Sequence, residues 1–230
     1  AIKPPYTLVG HSDGGMNVRL YADLHREEVA GMVLLDPSEE DWVQSAWRLD
    51  PQQRTYAQYH AQLEPFWQGL RECAAAAKTG FVEGTELYKR CVPDPDPHFS
   101  DAINAAYLKV HLSPAYQQAT LTENLNIHEA SSDQLRSARR WYGAMPLIVL
   151  ASSPRTKLRP DETQEHMDAV NRVHLFLFDQ MALQSSIGVV RVIPDSEHNI
   201  QMTQPQAVID AILEVLRAAI APQQKPATRK

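Results

Sequence analysis

The stretch Tyr6-Thr7-Leu8-Val9-Gly10-His11-Ser12-Asp13-Gly14-Gly15 decides how this chain is read. Tyr6–Val9 is a short apolar run with β-branched members, the pattern of a buried strand. Gly10 ends it. Gly14-Gly15 then opens a helical pattern in which Met16, Val18, Leu20, Tyr21 and Leu24 recur at helix-like spacing. Between strand and helix lies Gly-x-Ser-x-Gly. Small flanking residues permit a tight turn, which holds Ser12 in a strained backbone conformation and turns its hydroxyl out of the sheet. The first N–H groups of the following helix aim at the same spot, where charge on a substrate oxygen would be stabilised. Ser12 is therefore predicted to be a nucleophile, with the backbone N–H of Asp13 as an oxyanion donor.

Outward from this stretch, Val29–Leu35 is a second buried strand, stopped at Asp36-Pro37 because proline cannot continue a ladder. Strand, helix and strand in so short a span predict a right-handed crossover and a parallel sheet. From Glu39 to Trp141 the chain becomes rich in Ala, Gln, Glu and aromatics (Trp42, Trp47, Tyr56, Tyr59, Phe66, Trp67) and reads as several helices. Within it, Pro93-Asp94-Pro95-Asp96-Pro97 reads as a stiff, extended loop. The alternation then resumes, with a strand at Met145–Ala151 and a helix from Asp161 to Ser186 that Pro160 and Asp161 would start. A strand at Gly188–Ile193 follows, and a last helix from Pro205 to Ile220. The predicted fold class is α/β, with about four parallel strands, flanking helices and an α-helical insertion. Residues 1–38 and 142–221 form the core, 39–141 a helical cap insertion, and 222–230 a disordered tail.

An open sheet of this kind takes ligands at the carboxyl ends of its strands. His198, in Ile193-Pro194-Asp195-Ser196-Glu197-His198-Asn199, follows the last predicted strand and suits a general base. The other histidines fit less well. His11 adjoins Ser12 but is expected to point to the other side of the turn, and His25 lies at a helix end. His60, His98, His111 and His128 fall in the insertion, and His166 and His174 in a helix. Asp36, at the end of the second strand, is the preferred acid to orient the imidazole. The end of the third strand reads Ala151-Ser152-Ser153-Pro154 and offers no carboxylate. Asp161, which looks like a helix cap, Glu39 or Asp41, or no acid at all, are the alternatives.

The composition bounds the function. Of 230 residues 43% are hydrophobic and 22% charged, with a net charge of -6, an ordinary globular balance. The absence of a Lys/Arg run argues against a nucleic-acid partner. No apolar stretch approaches the roughly 20 residues of a membrane span. His-Glu-x-x-His, clustered Cys/His, calcium-loop and glycine-rich nucleotide motifs are all missing, so neither a metal nor a cofactor is expected. Cys73 and Cys91 stand in no metal-ligand spacing and are either bridged or free, buried thiols. The start, Ala1-Ile2-Lys3-Pro4-Pro5, lacks an initiator Met and a signal-peptide pattern, and reads as a cut inside a longer protein.

Tyr6–Gly15 continued through Val33-Leu34-Leu35-Asp36-Pro37, together with Val189–Leu216 carrying His198, Gln201 and Pro205, closely resembles the α/β-hydrolase superfamily, in its bacterial lipase/esterase-like branch with a helical cap. The resemblance implies a serine hydrolase with Ser12, His198 and Asp36 as its triad and Asp13 in its oxyanion hole. It would cleave esters or related acyl bonds of a small-molecule substrate through an acyl-enzyme, without a cofactor. The resemblance further implies a cap disulfide between Cys73 and Cys91, and with it an exported or periplasmic location. Ser12, where some relatives carry Asp, argues against dehalogenation and epoxide opening. Such proteins carry further strands before the nucleophile and a second oxyanion donor in a loop among them, so that donor is expected upstream of this chain. The rival expectations are a non-catalytic binding protein of the same fold and an inactive fragment.

Overall fold

The structure is a computed structural model describing residues 2–49, 56–160 and 162–220. In chain order the elements are β1 (Tyr6–His11), α1 (Asp13–Leu24), a 3-10 turn (Arg26–Glu28), β2 (Val29–Leu35), α2 (Trp42–Leu49), α3 (Tyr56–Thr79) and α4 (Glu86–Cys91), then α5 (Asp101–His111), α6 (Pro114–Asn126), α7 (Ala130–Ala138), β3 (Leu147–Ala151), α8 (Gln164–Ala182), β4 (Val189–Val192), α9 (Ile200–Thr203) and α10 (Pro205–Ile220). They divide into two units. One comprises Ala1–Gln53 with Ala130–Lys230, the other Arg54–Glu129.

The first unit is built on a parallel sheet in the order β1-β2-β3-β4. Side chains alternate between its faces. Met32, Leu34, Leu147 and Val149 meet Ala22 of α1 and Phe178 and Met181 of α8 in one core. Val33, Leu35, Ile148 and Leu150 meet Val208, Ala211 and Val215 of α10 in the other. Helices on both faces explain why β2 and β3 read as unbroken apolar runs. Each fully buried Val, Leu or Ile there contributes about 1.5–3 kcal/mol.

Two predicted starts move, and one element is new. The third strand begins at Leu147, because Pro146 supplies only a carbonyl, which accepts from Met32 N–H at 2.9 Å. Helix α8 begins at Gln164, where the Thr163 hydroxyl caps it by accepting from His166 N–H at 3.1 Å. Helix α9 is a single turn with no apolar periodicity to announce it. Asp161 and the predicted tail 222–230 lie outside the described residues.

Of the predicted insertion, α2 packs on α8 and α7 on α1 within the sheet unit. Buried charge fastens this region. Arg19 of α1, 2% exposed, makes a two-armed ion pair with Glu40. Arg139 bridges Glu40 at 2.7 Å and Asp41 at 2.6 Å. These pairs anchor the chain just beyond Asp36.

The second unit is helical, α3 packing on α4 and α6. A disulfide joins Cys73 of α3 to Cys91 of α4, with Val92, Phe81, Leu87, Tyr88 and Leu112 packed around it. Thr85, Ser100 and Ser113 cap α4, α5 and α6, each accepting a main-chain N–H three residues on. Among the described residues no helix is long and apolar enough to cross a membrane.

Candidate active site

Strand β1 ends at His11 and α1 starts at Asp13, so Ser12 alone makes the turn. Its φ of 52° and ψ of -125° are strained for a residue with a side chain. Three bonds hold the turn closed: Ser12 N–H to Leu35 O at 3.1 Å, Gly15 N–H to Ser12 O at 2.8 Å, and Ser38 N–H to Ser12 O at 3.0 Å. A Cβ at Gly10 would lie 2.5 Å from Gly14 O, and one at Gly15 2.6 Å from Pro37 Cβ. Both positions therefore require glycine. A Cβ at Gly14 meets nothing within 4 Å, so close packing does not demand the motif's second glycine.

Asp36 leaves the end of β2 with φ 40°, its N–H bonded to Leu150 O at 2.8 Å. Its Oδ1 accepts from Ser152 N–H and its Oδ2 from His198 Nδ1, both at 2.8 Å. Burial alone would raise this carboxyl's pKa. The bonds from His198 and Ser152 outweigh burial and hold it below the usual range. His198 lies between β4 and α9, with Nε2 3.0 Å from Ser12 Oγ. The bond to Asp36 raises the imidazole's pKa against the opposing effect of burial. Ser12, His198 and Asp36 thus lie on one hydrogen-bonded line. Asp13 is the first helical residue of α1, and its N–H has no acceptor within the helix.

The alternative acids are engaged elsewhere. Glu39 bonds His174 Nδ1 at 2.5 Å, burial pushing its pKa up more than the histidine draws it down. Asp41 pairs with Arg139. Asp161 is outside the described residues.

Other residues at the site had no sequence signal. Ser38 Oγ donates to Asp13 Oδ1 at 2.5 Å. Ser196 ties the histidine loop to the end of β3, since its N–H reaches Ser153 Oγ and its Oγ accepts from Ser153 N–H, both at 3.2 Å. His11 corrects an expectation. It does not point away, because its Nε2 is 2.9 Å from His198 O and the two rings are 4.7 Å apart, centre to centre. The turn at Ser12 is so sharp that two consecutive residues reach the same histidine. Beside Asp36 and His198 opens a cavity of about 590 Å³, lined also by Ser152, Arg155 and His174. Among the described residues, His25, Glu27 and Glu28 are grouped closely enough to hold a metal ion, and none of them contributes to this site.

The arrangement can move a proton from a hydroxyl to an imidazole backed by a carboxylate, beside a free helix N-terminus. A sequence profile of the alpha/beta hydrolase family matches residues 1–211. No curated protein matches the chain. Solved structures similar to it include a proposed acyltransferase from Salmonella enterica, 12% identical with a TM-score of 0.53, covering 94% of this chain and 65% of that one. A carboxylesterase structure from the thaumarchaeon Nitrososphaera gargenis is 15% identical with a TM-score of 0.45, covering 93% and 65%. An esterase from Thermogutta terrifontis is 20% identical with a TM-score of 0.40, covering 94% and 66%. The chain thus spans slightly less than two thirds of the length of these structures. With its profile matched over most of its length, the chain belongs to the alpha/beta hydrolase family.

Proposed function

We propose that this protein is a serine hydrolase that cleaves esters or related acyl bonds of small molecules through an acyl-enzyme. The observation that carries the reading is the line from Asp36 Oδ2 through His198 to Ser12 Oγ, with contacts of 2.8 and 3.0 Å. Ser12 Oγ attacks the substrate carbonyl as His198 Nε2 takes its proton. Asp36 holds Nδ1–H, keeps Nε2 free to accept, and stabilises the imidazolium that forms. The Asp13 N–H donates to the oxyanion, in the field of the α1 N-terminus. The tetrahedral intermediate collapses, the leaving oxygen departs with the proton from His198, and an acyl ester remains on Ser12. Water, deprotonated by His198, then attacks that ester and releases the acid.

The intermediate supplies the test. Protein mixed with p-nitrophenyl acetate and quenched in acid should carry one acetyl group on the peptide containing Ser12. Ester turnover that persists in Ser12→Ala at the wild-type rate would overturn the assignment.

A further inference from the structure

We propose that His11 is a positioning residue for the general base, holding His198 in reach of Ser12 through the main chain of the histidine loop. The inference rests on the triad reading above and adds a fourth side chain to it. His198 O can only accept, so the 2.9 Å contact requires that His11 Nε2 carry the hydrogen. His11 thereby fixes the backbone of the very residue whose ring must meet Ser12. Its own ring, 4.7 Å away and tilted 47°, also restricts rotation of the His198 imidazole.

The need for such a tie follows from where His198 sits. Its side chain is 55% exposed, and it lies 186 residues from the serine it must serve. The neighbouring loop bonds hold the residues before it: Ser196 to Ser153, and Glu197 N–H to Thr203 Oγ1 at 3.3 Å. His11, by contrast, ends a strand registered against Leu35, the residue before Asp36. One rigid edge thus carries the nucleophile, and its preceding side chain sets the base. Misplacing a reacting group by about 1 Å can cost on the order of 100-fold in rate.

Three variants separate the parts of this role. His11→Gln keeps an N–H donor of comparable reach, His11→Phe keeps a ring without the donor, and His11→Ala removes both. Each is assayed for p-nitrophenyl butyrate turnover and fluorophosphonate labelling, with a thermal melt as the check on folding. His11→Ala should lower kcat by roughly 10- to 100-fold, as expected for a displaced base. Its KM should change by less than about 3-fold, because His11 touches no substrate in this account. His11→Phe should remain impaired and His11→Gln should recover most of kcat. Equal kcat in His11→Ala and wild type would overturn the proposal, as would an equal loss in the Ala and Gln variants. A wild-type protein that neither turns over ester nor labels would remove the triad reading itself, and this inference with it.

Discussion

In the proposed mechanism, replacing Asp36 by Asn should abolish nearly all turnover while leaving the site's shape intact. Asp36 Oδ1 accepts from Ser152 N–H at 2.8 Å. In the Asn variant the amide oxygen must stay on that side, because an amide NH2 turned toward Ser152 N–H would set two donors against each other. The NH2 group then faces His198 Nδ1, where the carboxylate accepted a hydrogen bond at 2.8 Å. Nδ1 must become an acceptor, the ring proton moves to Nε2, and Nε2 can no longer take the proton of Ser12. A base held in the wrong tautomer loses about 10⁴-fold in kcat, as in serine proteases whose triad Asp is replaced by Asn. That factor corresponds to about 5.5 kcal/mol of transition-state stabilisation. Steady-state hydrolysis of p-nitrophenyl butyrate at neutral pH reads it directly, with KM expected within a few-fold of wild type. An Asp36→Asn enzyme retaining a tenth or more of wild-type kcat would refute the reasoning, and the acid would have to be sought elsewhere.

Other outcomes follow from the same contacts. In the proposed mechanism His198 acts in its neutral form, and Asp36 raises its pKa, so kcat/KM should fall as pH drops through a value above 6.5, and Asp36→Ala should move that limb down. The stability that His198 contributes runs the other way, being fully present below 6.5 and lost as pH rises through the raised value. Burial would raise the Glu40 carboxyl, but Arg19 outweighs it and brings the pKa down to about 2, so Glu40 stabilises the fold above pH 4.5 and loses that contribution as pH falls toward 2. Glu40→Gln strands a buried guanidinium and should cost about 3–5 kcal/mol in urea unfolding. A cost under about 1 kcal/mol would contradict the buried pairing. Cys73 and Cys91 are 18 residues apart, so reduction should remove about 3 kcal/mol of stability and speed protease cleavage between Arg54 and Glu129.

Much of the sheet was legible because its signals are local. Val29–Leu35 is apolar at every position apart from Gly31, and that run is the strand observed. The Ser12 turn was legible through glycine, although the glycines that sterics demand are Gly10 and Gly15 and the motif is usually written with Gly14. What the sequence hid are contacts between segments far apart in the chain. The partners of His11 and Ser153 stand 187 and 43 residues away, and neither a hydropathy period nor a motif records them. The start of α8 differs from the expected one for a local reason: Pro160-Asp161 resembles a helix opening, yet the Thr163 hydroxyl supplies the cap.

The proposed mechanism makes Ser12 a nucleophile activated by His198. Its most direct test is active-site labelling with a fluorophosphonate, followed by mass spectrometry of the peptide that contains Ser12. One adduct per chain is expected, on Ser12, formed under native conditions. The adduct should be absent from Ser12→Ala and slowed by about 100-fold or more in His198→Ala. A natively folded protein that forms no adduct on Ser12, or labels equally fast without His198, would contradict it.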